Sequence, residues 1–262
     1  MKIAFLALSN EIHKRILIAW NYKFNLMSQV VLVTVIFVGA SFLLGKGQFN
    51  PNQLSTLFIG YIVWFYARIT IMGTSMDLKD EAEAGTLEQT YMTPAPSEFL
   101  LLGRMLAMLF IATVMVLLAS LVLLLLLHIP LSLSWAALPV LLLTLAGLLG
   151  FTLILGGATL VYKQIEGLAD LIQNLLLFVT GSLLPVTDFP GWLATLARTL
   201  PITEGIEVLR QILLQGQSLS STWSSGSLRG LVLNSVVYLS AGWLIFKWSE
   251  HIAKKQGTLG HY

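Results

Sequence analysis

The chain contains no cysteine, which excludes disulfides, thiolate catalysis and cysteine metal sites, and leaves thiol usage silent about its compartment. Charge is almost as scarce: 11% of residues are Asp, Glu, Lys or Arg, against about a quarter in an ordinary globular domain. The formal net charge of +2 is too small to argue for nucleic acid as a partner. Histidine occurs only at 13, 128, 251 and 261, at span ends or tails. No Ser/His/Asp arrangement and no metal-ligand cluster accompanies them, so the sequence offers no catalytic residue, no metal site and no bound cofactor. A Gly-x-x-x-x-Gly-Lys-Ser/Thr phosphate loop is also missing.

What is abundant is apolar surface. Hydrophobic residues make up 56% of the chain and the mean hydropathy is +0.81. A span needs about 20 mostly apolar residues to cross roughly 30 Å of hydrocarbon. Runs at 25–44, 54–75, 100–127, 135–161, 167–186 and 229–248 satisfy this. The expected architecture is an all-α polytopic membrane protein with six transmembrane helices, forming a single domain over 1–262. It divides into an interfacial helix at 1–22, a six-span core at 25–248 that includes a polar segment at 77–98, and a tail at 249–262. Residues Asn10 to Arg15 interrupt the first apolar run, which argues against a cleavable signal peptide.

Lys and Arg asymmetry sets the orientation. Lys2, Lys14, Arg15, Lys23, Lys79, Arg104, Lys163, Lys247, Lys254 and Lys255 fall on one side, and Lys46, Arg198, Arg210 and Arg229 on the other. Both termini are therefore expected in the cytoplasm, with the chain multi-pass in a plasma or inner membrane and lipid around it. Near the N-terminus, Phe5, Leu8, Ile12, Ile16 and Trp20 recur at helical spacing, while Glu11, Lys14 and Arg15 fall on other faces. Such a helix would lie in the inner interface with its apolar face in lipid and its basic face toward headgroups.

In the second span, Tyr61, Trp64, Phe65 and Arg68 share one face at helical spacing. An arginine at a span centre costs ~2.5 to 3.5 kcal/mol, so Arg68 either faces a translocation route or a subunit, or snorkels to the nearer headgroups. Ala146, Gly147, Gly150, Gly156 and Gly157 in the fourth span permit close helix approach. Glu166, Asp170, Gln173 and Asn174 form a polar stripe at the start of the fifth, facing either a route or another helix. Between spans five and six, Pro190, Pro201 and Gly216 delimit two short helices, 191–200 and 202–215, whose length suits re-entrant or interfacial placement. Glu207 and Arg210 are spaced to pair locally there, as a solvated surface pair if nothing else holds them.

The polar island at 77–104 stands out between two apolar runs. Gly85 allows a change of direction, Thr86 and Gln89 have capping-box spacing, and Pro94 and Pro96 block further helix. A short rigid helix results, with Glu81, Glu83, Glu88 and Tyr91 exposed as a docking face or a solvated turn. The run Glu83-Ala-Gly85-Thr86-Leu87-Glu88 followed by Met92-Thr93-Pro94-Ala-Pro96 resembles the signature of permease subunits of type-2 ABC exporters. Leu200-Pro201, Ile206-Glu207, Leu209-Arg210 and Gly216 resemble that family's outer helices, and the tail from Ala253 its cytoplasmic ending.

The resemblance implies a permease that hydrolyses no ATP itself and works as a homodimer or related heterodimer with two copies of a separate cytoplasmic ABC ATPase, which would bind ATP and Mg. It implies a cytoplasmic coupling helix between spans two and three, with Glu83, Gly85, Thr86, Leu87, Glu88, Tyr91 and Pro94 at the ATPase contact. It further implies a route lined by spans two and five, through Tyr61, Trp64, Phe65, Arg68, Asp170 and Asn174, and an outer re-entrant segment marked by Pro201, Glu207 and Arg210. The alternative is an ion-coupled secondary transporter using Arg68, Glu166 and Asp170.

Overall fold

Lipid offers no hydrogen-bond partner to a peptide group, so apolar runs of this length satisfy their backbones internally as helices. A computed structural model describes residues 2–86, 97–132, 134–162 and 166–256, and these are helical almost throughout, with no strand among them. An N-terminal helix α1 (Lys2–Asn21) leads directly into α2 (Lys23–Leu44). There follow α3 (Pro51–Glu83), α4 (Ser97–Leu127), α5 (Ala137–Tyr162) and α6 (Glu166–Val179). A 3-10 turn (Val186–Asp188) and three short helices, α7 (Gly191–Thr199), α8 (Thr203–Leu213) and α9 (Leu219–Ser224), precede the last long helix, α10 (Ser227–Gln256). Among the described residues five helices, α2 to α5 and α10, are long and apolar enough to cross a membrane; α6 is a shorter apolar helix.

The centre of the bundle is α3. Its apolar window is 83% buried, against 28% for α2 and α4 and 17% for α10, so α3 packs on protein while the others turn much of their surface outward. The outward residues are hydrocarbon (Val31, Val35, Leu43, Leu117, Leu125, Leu233, Leu244), as a lipid-facing surface requires. The α5–α10 pair is the most extensive contact between helices. Its seam brings Gly150 against the Tyr238 carbonyl and Gly242, with Gly147 and Gly157 facing Ser235 and Ser249. The expected small-residue packing of the fourth span thus has a specific partner, the last span.

Two boundaries differ from the sequence expectation, the end of the second span and the end of the fifth, where α6 stops at Val179 rather than at 186. The second span does not stop near 75: α3 continues through the acidic stretch to Glu83, and turns at Gly85 in the left-handed region (φ 68°). The Thr86 hydroxyl donates to the Glu81 carbonyl at 3.2 Å, occupying an acceptor at the end of α3. The outer segment does fold back: α8 is buried along most of its length, with Ile206, Leu209 and Ile212 packed into the main core. It touches α3, α5 and α10.

Candidate functional site

A charged cluster closes the bundle at the end where α3 enters the island and α4 leaves it. Glu11 and Arg15 come from α1, one turn apart; Asp77 and Glu81 come from α3, also one turn apart; Arg104 comes from the second turn of α4. Arg15 donates from Nε to Glu11 Oε1 at 3.0 Å and from Nη2 to Glu81 Oε1 at 2.9 Å, while its Nη1 meets Asp77 Oδ1. Arg104 Nη2 donates to Glu81 Oε2 at 2.6 Å, and its Nε lies 3.3 Å from Glu11 Oε1. Lys14 Nζ reaches Glu81 Oε1 at 3.5 Å from the solvent side. Glu81 is the hub, and it joins three helices.

The cluster is buried: the side chains of Arg15 and Arg104 are 5% and 7% exposed, those of Glu11 and Glu81 10% and 11%. Three carboxylates face two arginines, and Lys14 brings the sum to zero. Burial pulls the Arg15 guanidinium below its ordinary range, with Arg104 adding repulsion, while Glu11 and Glu81 pull it back. It stays charged, because an arginine starts far above neutral pH. Guanidinium forks suit this geometry, since each presents several donors in a fixed plane. Removing one partner from a buried pair leaves an uncompensated charge and costs about 3–5 kcal/mol. The base of the island is thus clamped: Glu81 precedes its central stretch, 84–96, Arg104 follows that stretch, and both are held to α1.

This corrects two expectations. Glu81 is not an exposed docking group, and Glu11 and Arg15 do not face headgroups. The exposed apolar side of α1 carries Leu6, Leu17 and Trp20, while its Glu11/Arg15 side packs inward on α3 and α4. Of the expected coupling residues, Glu83 and Thr86 are exposed and Gly85 makes the turn. Leu87, Glu88, Gln89, Tyr91, Pro94 and Pro96, and with them the proposed coupling helix, lie outside the described residues.

Among the expected route residues, Tyr61, Trp64 and Phe65 are fully buried. The Tyr61 hydroxyl donates to the Val33 carbonyl at 2.8 Å, and the Trp64 indole to the Gln173 carbonyl at 2.7 Å, pinning α3 to α2 and α6. Phe58, Phe37, Tyr61 and Trp64 form a continuous run of edge-on and tilted ring contacts. Arg68 does not reach back toward the island end. Its guanidinium lies 5.7 Å from the Trp64 ring centroid, one turn the other way. It lines a cavity of about 340 Å³ between α1, α2, α3 and α4, with Arg15 and Asp77 also in its wall. On α6, Asp170 is exposed and accepts from the Gln173 amide at 2.8 Å, and Asn174 is half-buried.

At the other end, Arg210 is buried and not part of a solvated pair. It donates to the Thr56 carbonyl at 2.9 Å and the Gly181 carbonyl at 2.7 Å, besides Glu207 at 3.2 Å. It therefore ties α8 to the start of α3 and the end of α6, and Pro201, also buried, leads into it.

The cluster residues Glu11, Arg15, Asp77 and Arg104 escaped the sequence reading. Their signal is faint but present: two carboxylate or charge pairs at i, i+4, in a chain that has little charge to spare. With this geometry in view, a family model described as ABC-2 type transporter matches residues 6–214, from α1 past the end of α8. No curated protein matches the chain.

Proposed function

The chain belongs to the ABC-2 type transporter family and is a membrane component of such a transporter; on that premise we propose that it is a permease driven by a separate cytoplasmic ATPase. In this reading the termini and the island face the cytoplasm, two permease copies enclose the route, and the direction is export. The ATPase supplies ATP and Mg chemistry, and the island at 84–96 is the surface it grips.

One observation carries this reading: both ends of the island are locked to each other and to α1 through Glu81 and Arg104. A loop left free at its base would absorb a push. A loop clamped by buried ion pairs passes the push into α1, α3 and α4 together. Closure of an ATPase dimer would then favour one packing of these helices over another, which is coupling through differential contact. Arg68, Asp170 and Asn174 remain the candidates for the route, since each keeps some exposure, whereas Tyr61, Trp64 and Phe65 serve as its rigid backing.

Purification of the tagged chain in mild detergent tests the reading. An ABC ATPase should co-purify in stoichiometric amounts, and Gly85→Val, which forces a branched side chain into a left-handed turn, should weaken that association while the bundle stays folded. Transport by the purified chain alone, driven by an ion gradient, would overturn it.

A further inference from the structure

Arg68 stands out among the arginines near or within the spans. Arg15, Arg104 and Arg210 each hold carboxylates or carbonyls. Among the described residues Arg68 has neither an ion pair nor a hydrogen bond, and its guanidinium lies over the Trp64 ring. A guanidinium in a membrane span is expensive unless something neutralises it. Here it faces the cavity of about 340 Å³, beside Gln29 and a wall of methionines, Met72, Met108 and Met115.

A second cavity adjoins it. Ala19, Leu26, Ile111 and Met115 are shared with a second hollow of about 440 Å³ that runs between the α1–α2 corner and α4. This groove is lined almost wholly by hydrocarbon, including Phe110, Val114 and Leu118, which point progressively deeper along α4. At its mouth sits Lys23, whose ammonium lies 5.6 Å from the Trp20 ring centroid. A largely apolar chamber whose wall holds Arg68 and Arg15 with Asp77, one cation in excess, thus adjoins an apolar groove that Lys23 also lines. Both volumes fall within the roughly 300–1,000 Å³ of ordinary ligand sites.

We propose that these adjoining cavities form a binding site for an anionic membrane phospholipid, its headgroup on Arg68 and Lys23 and one acyl chain in the groove along α4. Charge complementarity selects the headgroup. A zwitterion brings its own cation into a chamber that already has one too many, whereas an anionic lipid supplies the missing charge. Arginine forks hold phosphate oxygens well, and methionine walls adapt to an irregular chain. The site lies within one copy of the chain and needs neither an ATPase nor a second permease, so it stands or falls separately from the mode of driving.

The test is lipid titration of the purified full chain in an uncharged detergent, read by native mass spectrometry and by thermal shift. Phosphatidylglycerol should bind with at least about tenfold preference over phosphatidylcholine, the size of one charge-assisted contact. Arg68→Gln should abolish that preference and Arg68→Lys should retain most of it. Val114→Trp, which fills the groove, should weaken both lipids and leave the fold intact by circular dichroism. Equal binding of the two lipids to the wild type, or a preference that survives Arg68→Gln, overturns the proposal. Water-soluble glycerol phosphate should give no shift; if it binds as well as the lipid, the chamber serves a free phosphate and the lipid assignment is wrong.

Discussion

Glu81→Gln and Glu83→Gln alter the same helix two residues apart, and their consequences should differ severalfold. Glu81 accepts from Arg15 at 2.9 Å and Arg104 at 2.6 Å in a nearly dry cluster. Glutamine keeps the size and one acceptor oxygen but leaves the two arginines and Lys14 facing only Glu11 and Asp77. Breaking a buried pair costs about 3–5 kcal/mol, and the residual exposure of the cluster holds the expectation near the lower figure, about 3 kcal/mol. The Glu83 side chain is 50% exposed, with Lys79 at 3.5 Å, so its loss should cost less than about 0.5 kcal/mol. At about 2–4 °C per kcal/mol for a chain of this size, Glu81→Gln should lower Tm by about 6–12 °C and Glu83→Gln by under about 2 °C. Intrinsic tryptophan fluorescence in detergent during a thermal ramp reads both. A double-mutant cycle of Glu81→Gln with Arg104→Gln should return a coupling energy above about 1 kcal/mol. Equal Tm shifts for the two glutamates, or additive effects in the cycle, would refute the clamp.

The outer anchor and the α5–α10 seam give two further expectations. Arg210→Lys should be destabilising by about 2–3 kcal/mol despite keeping the charge, because one ammonium cannot replace Nη1 on Glu207, Nη2 on the Thr56 and Gly181 carbonyls and Nε on the Thr56 carbonyl at once; a thermal ramp equal to wild type would contradict this. Gly150→Ala drives a methyl group into the Tyr238 backbone and should sharply lower folded yield, whereas Gly39→Ala meets nothing within 4 Å and should be neutral or stabilising by up to about 1 kcal/mol. Size-exclusion profiles of the pair decide it, and matching behaviour would mean the seam is looser than described.

Much of the architecture was legible because lipid imposes a length rule. The spans expected at 25–44 and 100–127 correspond to α2 (Lys23–Leu44) and α4 (Ser97–Leu127), since nothing shorter or more polar could serve. The end of α3 was less legible: a hydropathy window stops where charge begins, yet Asp77 and Glu81 extend the helix because Arg15 and Arg104 neutralise them. Those partners sit 62 and 23 residues away, and no local pattern announces a pairing across helices. The same blindness put Glu11 and Arg15 toward headgroups. For α1, the periodicity was sound but the environment of its polar side was not readable, because a face that meets headgroups and one that meets buried countercharges look alike in sequence. Arg210 repeats the lesson: its local spacing suggests Glu207, while its strongest contacts, at Thr56 and Gly181, come from distant chain.

The central claim is that a cytoplasmic ABC ATPase grips the island whose base the Glu81 hub clamps. A photo-cross-linking residue at position 83, on the exposed end of α3, with a second at Trp135, which is 91% exposed between α4 and α5, tests it in living cells. The account predicts an ABC ATPase in the adduct from position 83, changing in yield when ATP is depleted, and none from position 135. An ATPase adduct from both positions or from position 135 alone, or none from position 83 in cells that make the folded chain, would contradict it.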